Sequence, residues 1–484
     1  MLTVVLIILL VVAWVLYKNK KPKNCPPGPV NIPLVGRAFA MNQNHPEKAF
    51  VEWQRQYGPL YSVKMGSDLM VVISDPALLR EAFNKPASTG RMAGPVLEML
   101  GVQRGLIFSV GEDWHVRRRF TLFHLRNFGM GKARLEDVIR EQVDAFLEHV
   151  VAPSEGQPLT IDHSLDLAVV NIIWGIVAGE TMSMKDTRVL DILEKNKSVA
   201  DKAKRLNIAV MVPWLLKVLP RSLFRLDEVI ELFNYPKTHL IAPVLEAHRR
   251  DFDPTSEPRD YIECFLLEQR SDPQRFTDEV LARSIGDMFS AGSDTTSTTL
   301  RWAFCLLCAR PEAQRRIQAE IDQVVGASRP PSAADRQQMP FTEAFLMETQ
   351  RFGDIVPMGV LHSAEQEFEL GGYTIPRGTI LVSLLRAIHR NPAHFPEPEQ
   401  FKPERFLDRE GRVRPSKALM PFSVGKRSCL GEAMARSELF LFLTCALQRY
   451  SFAFPAGFQH DLSSADRLGV TTPKPFEVVP TRRR

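Results

Sequence analysis

The chain has 484 residues, of which 45 % are apolar and 24 % charged, values of an ordinary globular protein that exclude a disordered or fibrous chain. Its 61 Lys and Arg against 56 Asp and Glu leave a formal charge of +5, too little at this length for a protein that wraps nucleic acid. Its 6 cysteines are scattered without the spacing of a secreted disulfide framework, so a reducing compartment is favoured.

In chain order, Leu2 to Tyr17 is uncharged and almost wholly apolar, and Lys18, Lys20, Lys21 and Lys23 follow it at once. It is a little short of the ~20 residues usual for a spanning helix. It also lacks the basic leader and small-residue cleavage site of a removable signal peptide. Residues 1–17 therefore read as a retained membrane anchor, and the flanking lysines place the rest of the chain on the cytosolic side. Residues 18–36, with Pro26-Pro27-Gly28-Pro29, read as a basic, Pro-rich extended spacer, and residues 37–484 as one large body.

Within that body, Tyr61–Met65 and Leu69–Ser74 read as two short strands around the turn Gly66-Ser67-Asp68. From about residue 110 to 350 the patterns are mostly helical, broken by Pro, Gly and Asp clusters. The longest helix is predicted from about Asp278 to Arg310, ~33 residues or ~50 Å, stopping at Pro311. Helices over Pro311–Val325 and Phe341–Phe352 follow, and Phe368 to Val382 reads as strand, turn and strand. The expected fold class is mainly α with a small β region. Cys305 and Cys308 form a C-x-x-C inside an apolar helical run with no second pair or nearby His, so they read as packing.

Chemistry concentrates at Phe422-Ser-Val-Gly425-Lys426-Arg427-Ser-Cys429-Leu-Gly431, directly before an amphipathic helix from Glu432 to about Tyr450. A helix N-terminus favours a thiolate, Lys426 and Arg427 add positive charge, and Gly425 and Gly431 let backbone N–H groups approach the sulfur. Those are the needs of a thiolate metal ligand. Ala291-Gly292-Ser293-Asp294-Thr295-Thr296 lies in the middle of the long helix, where Gly292 costs roughly 1 kcal/mol against Ala. Thr295 is placed to bond back to the Ala291 carbonyl and loosen the helix, opening a notch for O2. Glu348 and Arg351 are an i,i+3 pair, Pro403-Glu-Arg405-Phe follows, and Trp114 and Arg118 are spaced i,i+4.

Together these residues resemble the cytochrome P-450 superfamily, whose haem loop F-x-x-G-x-R-x-C-x-G is filled at Phe422, Gly425, Arg427, Cys429 and Gly431. The resemblance covers essentially the whole chain and is nearest to the animal family-2 microsomal type, through Pro26-Pro-Gly-Pro, residues 125–132 and the stretches from Asp251 and Arg259. It implies haem b (iron protoporphyrin IX) ligated by Cys429, whose thiolate pushes electron density towards O–O cleavage. Thr295 would hold the iron-bound oxygen and its proton chain, with Asp294 delivering protons and Gly292 completing the motif. Trp114, Arg118, Arg91, His362 and Arg427 would bind the propionates. Glu348, Arg351 and Arg405 would brace the haem loop.

The implied activity is NADPH-driven monooxygenation of a lipophilic small molecule, such as a steroid, fatty acid, terpenoid or foreign compound, in the endoplasmic reticulum membrane. A flavoprotein reductase would donate electrons at a basic face formed by Arg117, Arg119, Arg126, Lys132 and Arg134, with cytochrome b5 a second candidate donor. Substrate-facing segments match Met92–Gly105, residues 200–220, Asp287–Ala291, Ile355–Leu361 and Leu468–Val470, mostly apolar. Asn196-Lys-Ser198 is a glycosylation sequon that a cytosolic body leaves unused. Two other readings are a thiolate-haem isomerase or dehydratase, against which the Asp294–Thr295 pair argues, and a haem carrier or gas sensor without turnover.

Overall fold

A computed structural model describes residues 20–41, 45–128, 133–465 and 469–483, together with Leu6 and Ala13 alone. The anchor expected over residues 1–17 falls almost wholly outside them. Among the described residues no helix is long and apolar enough to cross a membrane.

Among the helices of the described residues, those that frame the site and its core are α1 Pro76–Asn84, α2 Gly111–Asn127, α3 Ala133–Phe146, α4 Asp162–Val177, α5 Thr187–Lys202, α6 Leu226–Pro236, α7 Asp278–Ala309, α8 Pro311–Val324, α9 Pro340–Gly353 and α10 Glu432–Arg449. Their ends follow local chemistry. Asp75 caps α1 by accepting from the Ala77 and Leu78 N–H groups at 2.8 and 2.9 Å, with Pro76 in the first turn. Thr277 caps α7, whose 32 residues end one before Arg310 because Pro311 disfavours a helical residue ahead of it. At a 1.5 Å rise that helix is about 48 Å long, and it is buried along both ends.

A large core joins α3, α4, α7, α8, α9 and α10 through Val143, Trp174, Phe304, Ile317, Phe345 and Phe442. Helix α4 is apolar nearly all round and buried nearly all round, and it lies against the centre of α7. Cys305, Cys308 and Cys445 are free thiols inside this core. Burial pushes the Cys305 and Cys445 thiols up to about 12, as expected of inert packing groups.

Strands β1 Leu60–Met65, β2 Asp68–Ile73, β3 Gly90–Arg91, β4 His362–Ser363 and β7 Ile380–Ser383 form one sheet in the order β1-β2-β7-β4-β3. The segment from Phe368 to Val382 splits. β5 Phe368–Leu370 and β6 Tyr373–Ile375 make a separate hairpin, whereas β7, beyond Pro376, leaves it to pair in parallel with β2. β8 Tyr450–Ala453 and β9 Val479–Arg482 close the chain's C-terminal end.

The Pro-rich stretch is not a free spacer where it is described. Pro27 and Pro26 carbonyls accept from the N–H and hydroxyl of Ser62 at 2.7 and 2.6 Å, and a Cβ on Gly28 would stand 1.9 Å from the Ser62 carbonyl oxygen. Prolines lack donors, but their carbonyls still take bonds from β1.

Behind the sheet, Glu348 and Arg351 on α9 are fully buried and bidentate, at 2.7 and 2.8 Å. Arg405 adds its Nε to Glu348 at 3.0 Å. The remaining guanidinium donors reach the carbonyls of His389, Pro396, Pro398 and Gln400, so the ionic group is complete. Removing one member of a closed buried network strands the others. Glu348→Gln is expected to lower unfolding stability by about 3–5 kcal/mol, read as a fall in urea midpoint at unchanged slope, whereas Glu404→Gln, at the exposed pair with Arg316, should change it little.

Candidate active site

The loop from Phe422 to Gly431 is shaped by backbone contacts. The Cys429 N–H donates to the Phe422 carbonyl at 3.0 Å and the Ser428 N–H to Gly425 at 3.1 Å. Gly425 has φ +78°, and a Cβ there would stand 2.2 Å from the Phe83 carbonyl oxygen. Only glycine allows this approach to the end of α1. The Lys426 N–H then closes the contact by donating to the same carbonyl at 3.1 Å. Gly431 differs: it is the N-cap of α10 at φ −93°, with nothing within 4 Å of an added Cβ.

Arg427 fastens the loop from its other side. Its buried guanidinium donates to the carbonyls of Thr89 at 2.8 Å, Ile107 at 3.4 Å and Ser109, and lies 3.9 Å from the centre of the Trp114 ring. Arg118, one turn after Trp114 on α2, donates to the Ser428 carbonyl at 2.8 Å. Arg91 on β3 donates to Ile107 at 2.9 Å and Leu361 at 3.2 Å. Its cross-strand partner on β4 is His362, whose Nδ1–H donates to the Ser88 carbonyl at 2.9 Å and whose ring stacks on Phe83 at 3.9 Å. Arg436 on α10 lies over the Phe422 ring at 4.9 Å. The structure thus gathers Trp114, Arg118, Arg91, His362 and Arg427 around one loop, from elements spread over more than 330 residues of sequence.

Among the described residues no carboxylate comes within 4 Å of Arg91, Arg118 or Arg427. Burial, then the charge of Arg118, takes Arg91 down to about 10. Burial, then Arg91, takes Arg427 down to about 9, with Glu365 the opposing group. His362 is lowered well below its ordinary value, first by burial and then by Arg91, so it is neutral at pH 7. The Trp114 indole N–H makes no hydrogen bond among the described residues. A buried group of like charges is costly unless an anion completes it.

Cys429 is the exposed thiol of the loop, in contrast to the four buried cysteines. The protein crowded behind it pushes the thiol up, whereas the Gly431 N–H and the Arg118 guanidinium pull it down. A single exposed sulfur at a helix N-terminus, beside buried cations that lack a carboxylate partner among the described residues, fits a metal porphyrin with two propionates.

The second motif lies in the middle of α7. Ala291 is exposed, and Thr295 Oγ1 donates back to the Ala291 carbonyl at 2.7 Å. Ser293 and Thr299 bond back in the same way at 2.7 and 2.9 Å. A Cβ on Gly292 would meet Ile173 of α4 at 3.5 Å, an ordinary contact, so crowding does not demand this glycine.

Several polar residues here escaped the sequence. Asp166 on α4 is buried and pairs with both Arg301 of α7 and Lys197 of α5, and Ser297 donates to it at 2.6 Å. Burial lowers Lys197, while the charges of Asp166 and then Asp294 pull it back up, so the acid of the motif acts on a lysine of a neighbouring helix. Glu438 on α10 is buried beside Thr296, and burial pushes its carboxyl up to about 8, so it holds a proton at pH 7. A lone Glu in an amphipathic helix carries no such signal in sequence.

Arg117, grouped by charge with the basic face, is instead buried and bonds Asp113 at 2.9 Å and the carbonyls of Gln103 and Arg104. Its spacing from Asp113 and the apolar side of α2 turn it inwards. Arg119, Arg126 and Lys426 are exposed and border one open groove beside Trp114 and Arg118. Lys132 and the side chain of Arg134 lie outside the described residues.

Comparison with known proteins gives the same direction. A family model described as cytochrome P450 matches residues 26–480. The chain is 37 % identical over 469 residues to cytochrome P450 2J3 of Rattus norvegicus, covering 94 % of this chain and 90 % of the relative. It is 36 % identical over 474 residues to cytochrome P450 2J2 of Homo sapiens, covering 94 % and 90 %. It is 36 % identical over 482 residues to cytochrome P450 2H1 of Gallus gallus, covering 97 % and 96 %.

The loop contacts lead to a paired prediction. Gly425→Ala should cost about 2–3 kcal/mol through overpacking and a strained φ, whereas Gly431→Ala should cost under about 1 kcal/mol, both measured by urea unfolding at matched haem content.

Proposed function

Because the chain belongs to the cytochrome P450 family, whose members are haem-thiolate monooxygenases, we propose that it oxygenates a lipophilic small molecule with electrons from an NADPH-dependent flavoprotein reductase. The observation that carries this reading is the exposed Cys429 thiol at the N-terminus of α10, set beside a buried cationic group with no acid within 4 Å among the described residues. Cys429 holds the iron of haem b, and Arg91, Trp114, Arg118 and Arg427 hold its propionates, with His362 closing the same side. Haem held in this way supplies dioxygen activation, favoured by the electron-rich thiolate.

The protein's own part is to position, exclude water and move protons. Phe422, Gly425 and Gly431 shape the loop, and the Gly431 N–H faces the sulfur. Thr295 holds its hydroxyl proton on the Ala291 carbonyl, from which it would be available to bound oxygen, and Asp294 would replace it. Gly292 completes the motif on the side of α7 that faces Ile173 of α4. Arg119, Arg126 and Lys426 offer an acidic reductase a positive docking face close to Cys429, which speeds encounter more than it strengthens binding. Cytochrome b5 would use the same face.

An endoplasmic reticulum membrane location is supported by exposed apolar side chains on two segments. Val30, Ile32, Leu34 and Phe39 belong to one, and Trp214, Val218, Leu219 and Leu223 to the other. The Trp214 indole N–H reaches the Leu34 carbonyl at 3.5 Å, so the segment that follows the proposed anchor in sequence meets the second apolar segment.

Two measurements test the reading. Cys429→Ala should abolish the thiolate-type Soret band of the reduced CO complex, while Cys305→Ala leaves it in place; an unchanged Cys429→Ala spectrum overturns the assignment. Thr295→Ala should retain haem and ligand binding yet divert at least about tenfold more reducing equivalents to peroxide, the scale at which loss of a positioned proton donor is felt, measured as peroxide formed per NADPH consumed.

A further inference from the structure

Beside α7 lies a cavity of about 260 Å³ bounded by Met99 to Gly101, α5, α6 and the turn that follows α6. Leu100, Phe233 and Phe289 give it apolar walls. Between them, Asn196 of α5 and Ser290 of α7 face one another, and the Asn196 amide donates to the Ser290 hydroxyl oxygen at 3.2 Å. Both side chains are half-buried. After that bond the amide still has one N–H and its carbonyl oxygen, and the serine still has its proton. No other described residue engages these groups.

Most of the charges around the cavity are already paired. Arg283 bonds Asp287 at 3.2 Å and lies over the Phe233 ring, and Glu279 pairs with Arg104. Lys237 is at the exposed rim. The interior therefore presents neutral hydrogen-bonding groups in an apolar frame, which suits an uncharged oxygen function and disfavours a buried carboxylate. Ser290 directly precedes the exposed Ala291 and lies five residues before Thr295, about 7.5 Å of helix rise. A small molecule spans that distance.

Resting on the monooxygenase reading above, we propose that Asn196 and Ser290 form a polar subsite that takes a hydroxyl or carbonyl oxygen of the substrate. The substrate class is then a lipophile bearing one neutral oxygen function remote from the carbon that is oxidised. The hydroxyl accepts from Ser290 and donates to the Asn196 carbonyl oxygen, or a carbonyl accepts from Ser290 and the free amide N–H. Asn196 of the sequon is engaged inside the fold and is not a glycan carrier.

A pair that merely clamps α5 to α7 would not alter which ligands bind, so the test reads ligand preference. Full-length, haem-loaded protein with an intact thiolate-type CO band is titrated by equilibrium dialysis with 4-cyclohexylphenol and with phenylcyclohexane, which differ by one hydroxyl. We expect the phenol to bind at least about tenfold more tightly, as sites built to bond a hydroxyl reject the analogue that lacks it. Asn196→Leu with Ser290→Ala should reduce the preference below about threefold while phenylcyclohexane binding is retained. Ser290→Ala alone, which removes one oxygen atom, gives the same direction if the double variant does not accumulate. Equal binding of the two probes, binding of neither, or a preference that survives the substitutions overturns the subsite. Loss of the CO band in the unsubstituted protein would instead strike the haem-thiolate reading.

Discussion

Arg427 is a charge buried among carbonyl oxygens, and the site is organised around it. Its donors reach Thr89, Ile107 and Ser109, while its face covers Trp114. One side chain therefore joins the cysteine loop to a strand end, to the turn before α2 and to α2 itself. Carbonyl oxygens satisfy the hydrogen bonds of a guanidinium without neutralising it. The charge is left to act on Arg91, Arg118 and His362, and burial makes that mutual repulsion strong. The cluster is thus left with buried positive charge that an anionic group would complete.

The group around Glu348 shows the opposite arrangement. There two guanidiniums share one carboxylate, and the surplus donors end on loop carbonyls from His389 to Gln400. The guanidinium hydrogen bonds close on that carboxylate and on backbone carbonyls, so the network has no free donor to offer a ligand and works as a brace. Comparing the two separates arginines paired with an acid from arginines left without one within one protein. The criterion is the missing acid, since both groups are buried and both are well bonded.

Helix α7 shows how a long apolar element tolerates polar residues at its centre. Ser293, Thr295 and Thr299 return their hydroxyls to the preceding turn, and Ser297 and Arg301 satisfy Asp166 of the neighbouring helix. Most polar groups therefore have partners inside the fold, while Ala291 is left facing open space. Asn196 and Ser290 extend this polar stripe sideways to line a cavity beside α7.

Sequence alone determined the elements whose signals are local. Pro311 ends α7, and the paired Tyr61–Met65 and Leu69–Ser74 runs appear as β1 and β2 within a residue. The Cys429 motif and the family resemblance were legible because a tight loop before a helix needs particular residues at fixed spacing. The tertiary structure decided what depends on distant partners. It split Phe368–Val382 between two sheets, docked Pro26–Gly36 on β1 and turned Arg117 inwards. It likewise buried Glu438 beside Thr296 and set Asn196 against Ser290. The physical reason is the same in each case: helix caps, turns and breakers act over a few residues, whereas burial and hydrogen-bond partnership of a polar side chain are set by whichever element the fold brings alongside it.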